Sequence, residues 1–114
     1  MAYRIEDNEG FSVIHLEGEV DLNRSPAARK AILDCLQARR NVLVDLNAVT
    51  YIDSSGVASL VEGFQVSRRL SLDFALIGVS DAALSVLRLA RLDQVFPIFA
   101  SLEARLAQAL PKAL

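Results

Sequence analysis

The stretch Tyr51-Ile52-Asp53-Ser54-Ser55-Gly56-Val57 decides the fold, because it separates two segments of different hydrophobic period. Residues 41–46, just before it, are almost entirely apolar, which is typical of a strand covered on both faces. Residues 54–70, which begin within it, repeat apolar side chains at helical spacing. The stretch is therefore predicted to be the turn between a central strand and an amphipathic helix.

This turn brings together one carboxylate, two neighbouring hydroxyls and a glycine. Backbone N–H groups at a helix start carry partial positive charge, so a phosphate on Ser55 is expected to meet free amide donors. Asp53 would stand beside that phosphate and repel it. Gly56 is expected to leave the backbone bare for close approach by another molecule. The alternative is that Asp53 or Ser54 is simply a helix cap.

The composition is that of one folded domain over residues 1–114. Apolar residues make up 53% of the chain, and the net charge of −2 gives no general attraction to nucleic acid or acidic lipid. The single cysteine, Cys35, excludes an internal disulfide, fits a cytoplasmic location and is predicted to be a small core residue. The first ten residues are polar and acidic, so no signal peptide is expected. No apolar run approaches the ~20 residues that cross a bilayer, so membrane insertion is not expected either.

An opening hairpin is followed by alternating helices and strands. Strands are predicted over residues 3–7, 11–17, 41–46, 72–78 and 96–99. Helices are predicted from a cap at Asn23 or Ser25 to about residue 39, over residues 54–70, and from a cap at Ser80 or Asp81 to about residue 90. A last helix is predicted from Ser101 to Pro111, with Leu102, Leu106, Ala109 and Leu110 as its buried stripe. Strand-helix-strand units require parallel neighbours. The sequence therefore predicts an α/β fold in which a mixed sheet of four to five strands, antiparallel at the N-terminal hairpin and mainly parallel elsewhere, packs with four helices.

Two further polar residues have predictable places in this sheet. Asp21 should follow the carboxyl end of a central strand, where ligands and partners collect, and should therefore lie beside the turn at residues 53–56. A second cap or a solvated loop acid is the alternative for Asp21. His15 lies in mid-strand without the ligand cluster that a metal site needs, so an ordinary position on the more exposed sheet face is predicted.

The motif Asp53-Ser54-Ser55-Gly56-Val57 after an apolar strand resembles the signature of the STAS domain, shared by anti-sigma-factor antagonists and sulfate transporter tails. Gly18-Glu19-Val20-Asp21 resembles the strand-end segment of that family. Leu89-Ala90-Arg91-Leu92-Asp93-Gln94-Val95-Phe96 resembles its characteristic ending. The similarity covers essentially the whole chain in the element order of the family.

In the family, an anti-sigma factor that is also a GHKL-type serine kinase phosphorylates the second serine of the motif. The matching residue is Ser55, with Ser54 the less favoured alternative. The unphosphorylated protein binds this partner and frees the sigma factor, and a serine phosphatase restores that form. The resemblance thus implies a cytoplasmic, non-enzymatic phosphoprotein without cofactor or metal. Its implied partner-binding residues are Asp21, Asp53, Ser54, Ser55 and Gly56.

Two other functions compete with this one. One is the small cytoplasmic STAS subunit of a lipid-transporting ABC complex, where the second motif hydroxyl is often a threonine, so Ser55 favours the regulatory branch. The other is an enzyme or nucleotide-binding domain, but the sequence has no glycine-rich phosphate loop, no Ser-His-Asp order and no metal cluster. The sequence leaves open the identity of the kinase and the oligomeric state, including a weak homodimer at a sheet edge.

Overall fold

The computed structural model of the protein describes residues 3–108. Its strands are β1 (Tyr3–Asn8), β2 (Phe11–Val20), β3 (Asn41–Ile52), β4 (Phe74–Ile77) and β5 (Ile98–Phe99). Its helices are α1 (Ser25–Gln37), α2 (Ser54–Arg69), α3 (Asp81–Leu89) and α4 (Leu102–Ala107). The strands lie in chain order across one sheet, with β1 antiparallel to β2 and each later neighbour parallel. The predicted mixed α/β architecture is confirmed.

Helices α1, α2 and α3 pack on one face of the sheet, as successive right-handed crossovers require. The larger core lies there, and its biggest fully buried side chains come from both the strands and the helices: Ile14, Ile32, Leu46, Ile52, Leu60 and Leu87. The opposite face carries a smaller apolar cluster, which is covered by α4. Cys35 is partly buried against the larger core, as the sequence indicated.

Two strands are longer than the sequence predicted, and the excess length positions the turn. β2 continues from the predicted end at residue 17 to Val20, and β3 continues from residue 46 to Ile52. Two register shifts accommodate the extension, and Gly18, at φ +71°, adopts a conformation that suits glycine. Val20 consequently pairs with Ile52, so both strands end together just before Asp53.

The extended part of β3 runs past the end of β4, and Ser80 forms a hydrogen bond with the edge of the strand that β4 leaves unpaired. Its hydroxyl donates to the carbonyl oxygen of Val49 at 2.7 Å. The Ser80 hydroxyl oxygen itself accepts from the backbone N–H of Ala83 at 3.2 Å and so caps α3. The predicted start of this helix at residues 80–81 is confirmed.

Helix α4 is attached to the second face of the sheet by Arg105, which is only 7% exposed. The guanidinium carbon lies 4.9 Å from the ring centroid of Phe11 and 5.6 Å from that of Phe99. One guanidinium nitrogen donates to Asp73 at 3.2 Å. Leu102 and Leu106 pack on the same face as predicted, whereas the predicted stripe residues Ala109 and Leu110 and the stop at Pro111 lie outside the described residues.

Replacing this cation is expected to destabilise the fold. Arg105→Ala should lower the free energy of unfolding by about 1–3 kcal/mol, because two aromatic contacts and the ion pair of a buried guanidinium with the half-exposed Asp73 are lost together. Urea unfolding followed by circular dichroism measures the loss. Arg29→Ala is the matched control, since its bridge to Glu62 is exposed and is expected to contribute little to stability. Equal losses in the two variants would contradict the anchoring role.

Candidate functional site

Asp53 is the N-cap of α2, with extended backbone angles of φ −106° and ψ −172°. Its carboxylate oxygen Oδ1 accepts from the backbone N–H of Ser55 at 2.9 Å and from that of Gly56 at 3.2 Å. The Ser55 hydroxyl donates to the same oxygen at 2.5 Å. The capping interpretation is confirmed. The expectation that these amides are free for a phosphate is wrong, because Asp53 already satisfies both.

The hydrogen bond from the Ser55 hydroxyl is the largest cause that lowers the pKa of Asp53. Partial burial opposes this effect, while the backbone N–H groups of Gly56, Ser55 and Leu22 lower the pKa further. The ionised carboxylate is therefore favoured in the folded protein. It links the first backbone N–H groups of α2 with the Ser55 hydroxyl.

Stability at low pH is expected to report on this carboxylate. The pKa of Asp53 is lower in the folded than in the unfolded chain, so the ionised carboxylate stabilises the fold at pH values above its ordinary pKa of 3.8. This contribution is lost as the pH falls through the lower pKa of the folded chain. Asp53→Asn, which keeps an oxygen acceptor but cannot ionise, should have a lower Tm than the wild type near pH 7. The difference should shrink as the pH falls below about 4. Thermal unfolding across this range measures it, and a constant difference would argue against the proposed linkage.

Gly56 is buried at the point where α2 meets the end of β2. A Cβ atom there would lie 2.7 Å from the carbonyl oxygen of Val20 and 2.7 Å from Cγ1 of Ile52. The expectation that Gly56 exposes its backbone to another molecule is therefore wrong. The glycine instead permits close packing inside the chain, and the N–H of Asp53 donates to the same Val20 oxygen at 3.3 Å.

Asp21 lies where the sequence placed it, one residue beyond the end of β2. Because Val20 pairs with Ile52, Asp21 and Asp53 follow neighbouring strands at the same edge of the sheet. The Asp21 carboxylate accepts from the backbone N–H groups of Asn23 at 3.1 Å and Arg24 at 3.2 Å. Asp21 thus also stabilises its own loop, but it is not a helix cap, because the N-cap of α1 is Arg24 without a side-chain hydrogen bond. Its partial exposure leaves it accessible at the rim of the turn.

Exposed apolar side chains surround this turn, and the sequence analysis missed them. Leu22 is 72% exposed, Tyr51 is 50% exposed and Leu89 is 87% exposed. Leu89 borders an apolar groove between α2 and α3 that begins at Ser54 and is otherwise lined largely by Val57, Ala58, Val61, Val86 and Ala90. The available signal was an excess of apolar residues on α3, whose buried positions are Ala83 and Leu87.

His15 lies on the second face of the sheet between two carboxylates. Its Nδ1 lies 2.6 Å from Oδ2 of Asp45, and its Nε2 lies 2.7 Å from Oε1 of Glu6. The hydrogen bond with His15 is the main cause that lowers the pKa of Glu6. The parallel register places His15 opposite Asp45, a contact that strand assignment alone could not show. The cluster ties β1, β2 and β3 together. Within residues 3–108, no group of three or more histidine, cysteine or acidic side chains could hold a metal ion.

Comparison with known proteins identifies the family. The sequence pattern of the STAS domain matches residues 2–104. The chain belongs to the STAS domain family. An anti-sigma-B factor antagonist of Listeria monocytogenes is 28% identical to this STAS domain over 87 residues, which cover 75% of each chain.

Solved structures agree with this assignment. The crystal structure of an anti-sigma factor antagonist from Mycobacterium paratuberculosis has a TM-score of 0.80 and 27% identity, covering 91% of this STAS domain and 89% of that chain. The phosphorylated form of the Bacillus cell fate determinant SpoIIAA has a TM-score of 0.73 and 19% identity, covering 92% and 96% of the two chains, a likeness of fold alone. In the described part of this STAS domain, no helix is both long enough and apolar enough to cross a membrane.

Proposed function

We propose that this STAS domain is an anti-sigma factor antagonist whose binding to its partner is controlled by phosphorylation of Ser55. The observation that carries the proposal is the 2.5 Å hydrogen bond from the Ser55 hydroxyl to the carboxylate that caps α2. A modification of this hydroxyl acts directly on the cap. The relatives named as anti-sigma factor antagonists favour this regulatory branch over a transporter subunit.

Phosphorylation would set two anions in competition for the same donors. The phosphate adds a charge of roughly −1.5 to −2 in place of the hydroxyl, so the hydrogen bond to Asp53 is replaced by repulsion. The backbone N–H groups of Ser55 and Gly56 now satisfy Asp53, and they cannot keep both anions. Because the backbone N–H of Asp53 donates to the carbonyl oxygen of Val20 at 3.3 Å, displacement of Asp53 would disturb the end of β2 as well.

The proposed partner surface surrounds this cap and combines apolar contacts with an acidic rim. Its residues are Asp21, Leu22, Tyr51, Asp53, Ser54, Ser55, Val86 and Leu89. Exposed apolar side chains that are grouped together and surrounded by a polar rim are typical of protein interaction sites. Gly56 is left out because it is buried against β2. The partner is an anti-sigma factor with GHKL-type serine kinase activity, and a serine phosphatase reverses the modification. The STAS domain itself performs no catalytic step.

Leu89→Asp is expected to weaken partner binding by about 10–100-fold, because a charge replaces an apolar contact next to Ser54. Isothermal titration calorimetry with the purified anti-sigma factor measures the change. Ile5→Asp is the matched control, since Ile5 is also an exposed large apolar residue but lies on β1 outside the proposed surface. Equal affinities for Leu89→Asp and the wild type would exclude the groove from the interface.

The phosphorylation site itself is tested by incubation with the cognate anti-sigma factor kinase and ATP, followed by peptide mass spectrometry. Phosphate is expected on Ser55 in the wild type and in Ser54→Ala, and no phosphate is expected in Ser55→Ala. Modification of Ser54 instead would assign the regulatory phosphorylation site to Ser54. Phosphate on neither serine, in a kinase preparation that modifies its other substrates, would overturn the regulatory proposal.

A further inference from the structure

Strand β1 leaves one edge of the sheet without a partner among the described residues. It pairs with β2 on one side, and no strand within residues 3–108 lies on its other side. The two-residue loop between β1 and β2 makes Asn8 and Phe11 a hydrogen-bonded pair. Because such pairs alternate along an antiparallel ladder, Tyr3, Ile5 and Asp7 direct their backbone N–H and C=O groups away from β2. An open ladder of this kind is a template for another strand.

The side chains of β1 complement a second copy of the same strand. A twofold axis through Ile5 places Ile5 opposite Ile5 of the second copy and Arg4 opposite its Glu6. Ile5 is 43% exposed, and the side chains of Arg4 and Glu6 are 69% and 40% exposed. We propose that two copies of the chain pair antiparallel through β1, forming one continuous sheet across the dimer.

Charges on an edge strand usually oppose such pairing, but here they select its register. An axis through Arg4, Glu6 or Asp7 would place that residue opposite its own copy, so like charges would meet. For Arg4 and Glu6 the backbone groups at the axis also point towards β2 and cannot bond outward. The axis through Ile5 avoids both penalties, and it keeps each outward N–H and C=O of Tyr3, Ile5 and Asp7 paired.

The dimer is expected to be weak and separate from the phosphorylation switch. A short ladder with one apolar contact at its centre buries less than the roughly 1,600 Å² of a standard interface, so dissociation constants of tens to hundreds of micromolar are expected. The turn at Asp53 follows β3, which is separated from β1 by β2. The proposed partner surface of each copy therefore stays accessible in the dimer. The dimer proposal does not depend on the proposed function.

Charge reversal provides the test, with sedimentation equilibrium from about 10 μM to about 1 mM as the measurement. Arg4→Glu and Glu6→Arg should each weaken the wild-type dimer about tenfold or more, because the twofold repeats every like-charge pair. The double variant Arg4→Glu/Glu6→Arg should dimerise more tightly than either single variant, although it also lacks the hydrogen bond between Glu6 and His15 that orders β1. A monomeric wild type, a dimer insensitive to both single changes, or no recovery in the double variant would each overturn the proposal.

A cross-linking measurement is independent of the charges. In a Cys35→Ser background, Ile5→Cys should form an intermolecular disulfide under mild oxidation, because the twofold places the two thiols opposite each other. Asp7→Cys is the matched control, since it faces Tyr3 of the second copy and should not cross-link. Equal cross-linking at both positions would indicate random collision and contradict the register.

Discussion

Phosphorylation of Ser55 is expected to weaken the complex with the anti-sigma factor by about 10²–10³-fold. The dianion would stand beside the Asp53 carboxylate, which is now held by the Ser55 hydroxyl and two amides. Covering two neighbouring anions with a partner, when the donors suffice for one, costs several kcal/mol. The unphosphorylated cap carries a single charge whose Oδ1 accepts three hydrogen bonds, so it costs less to cover.

Calorimetric titration of the anti-sigma factor with phosphorylated and unphosphorylated protein measures this difference. Ser55→Ala should bind within about threefold of the unphosphorylated wild type and should not respond to ATP, whereas Ser55→Asp should bind poorly. Ser54→Asp is the matched control, because Ser54 makes no hydrogen bond with the Asp53 carboxylate among the described contacts. A loss of affinity in Ser54→Asp as large as that in Ser55→Asp would show that any charge on this surface suffices.

The competition between the two anions predicts a coupling as well. If Asp53 and the phosphate compete for the Ser55 and Gly56 amides, removing the carboxylate in Asp53→Ala should reduce the effect of phosphorylation on affinity by about tenfold. The phosphate could then cap α2 alone. Full additivity of the two changes would mean that the phosphate acts on the partner directly and leaves the cap undisturbed.

The element order was predictable from the sequence because each segment keeps one hydrophobic period. The lengths of β2 and β3 were not predictable in the same way. Residues 47–52 mix polar and apolar side chains, and they extend because β2 bulges beside them and Ser80 covers their open edge. Those stabilising contacts come from segments distant in the sequence, which local patterns do not report.

In the candidate site, too, some features were predictable from the sequence and others depend on tertiary contacts. Asp21, Asp53 and Ser55 could be placed at one edge of the sheet because parallel strands end together. The occupation of the helix amides by Asp53 depends on a side-chain rotamer, and the burial of Gly56 depends on the distance between α2 and Val20. Leu89 became visible as a surface residue only when Leu87 was seen to fill the core position of α3. Each of these is a tertiary contact that follows once the fold is known.

Gly56→Ala is expected to lower the free energy of unfolding by about 2–3 kcal/mol, although alanine is the better helix former by about 1 kcal/mol. The added Cβ would lie 2.7 Å from the carbonyl oxygen of Val20, a backbone atom in a paired strand that cannot rotate away. Helix propensity and packing therefore predict opposite signs, and urea unfolding decides between them.

Gly63→Ala in the same helix is the matched control for this substitution. There the Cβ would lie 2.6 Å from Cγ2 of Ile32 and 2.9 Å from Cε2 of Phe74, two buried core side chains, so a loss of stability comparable to that of Gly56→Ala is expected. The Val20 oxygen also accepts the N–H of Asp53, so only the change at Gly56 should shift the cap and reduce affinity for the anti-sigma factor. If Gly56→Ala were more stable than the wild type, or bound the anti-sigma factor with unchanged affinity, the end of β2 would have moved to accommodate the Cβ. The contact between α2 and Val20 would then not determine the position of the Asp53 cap.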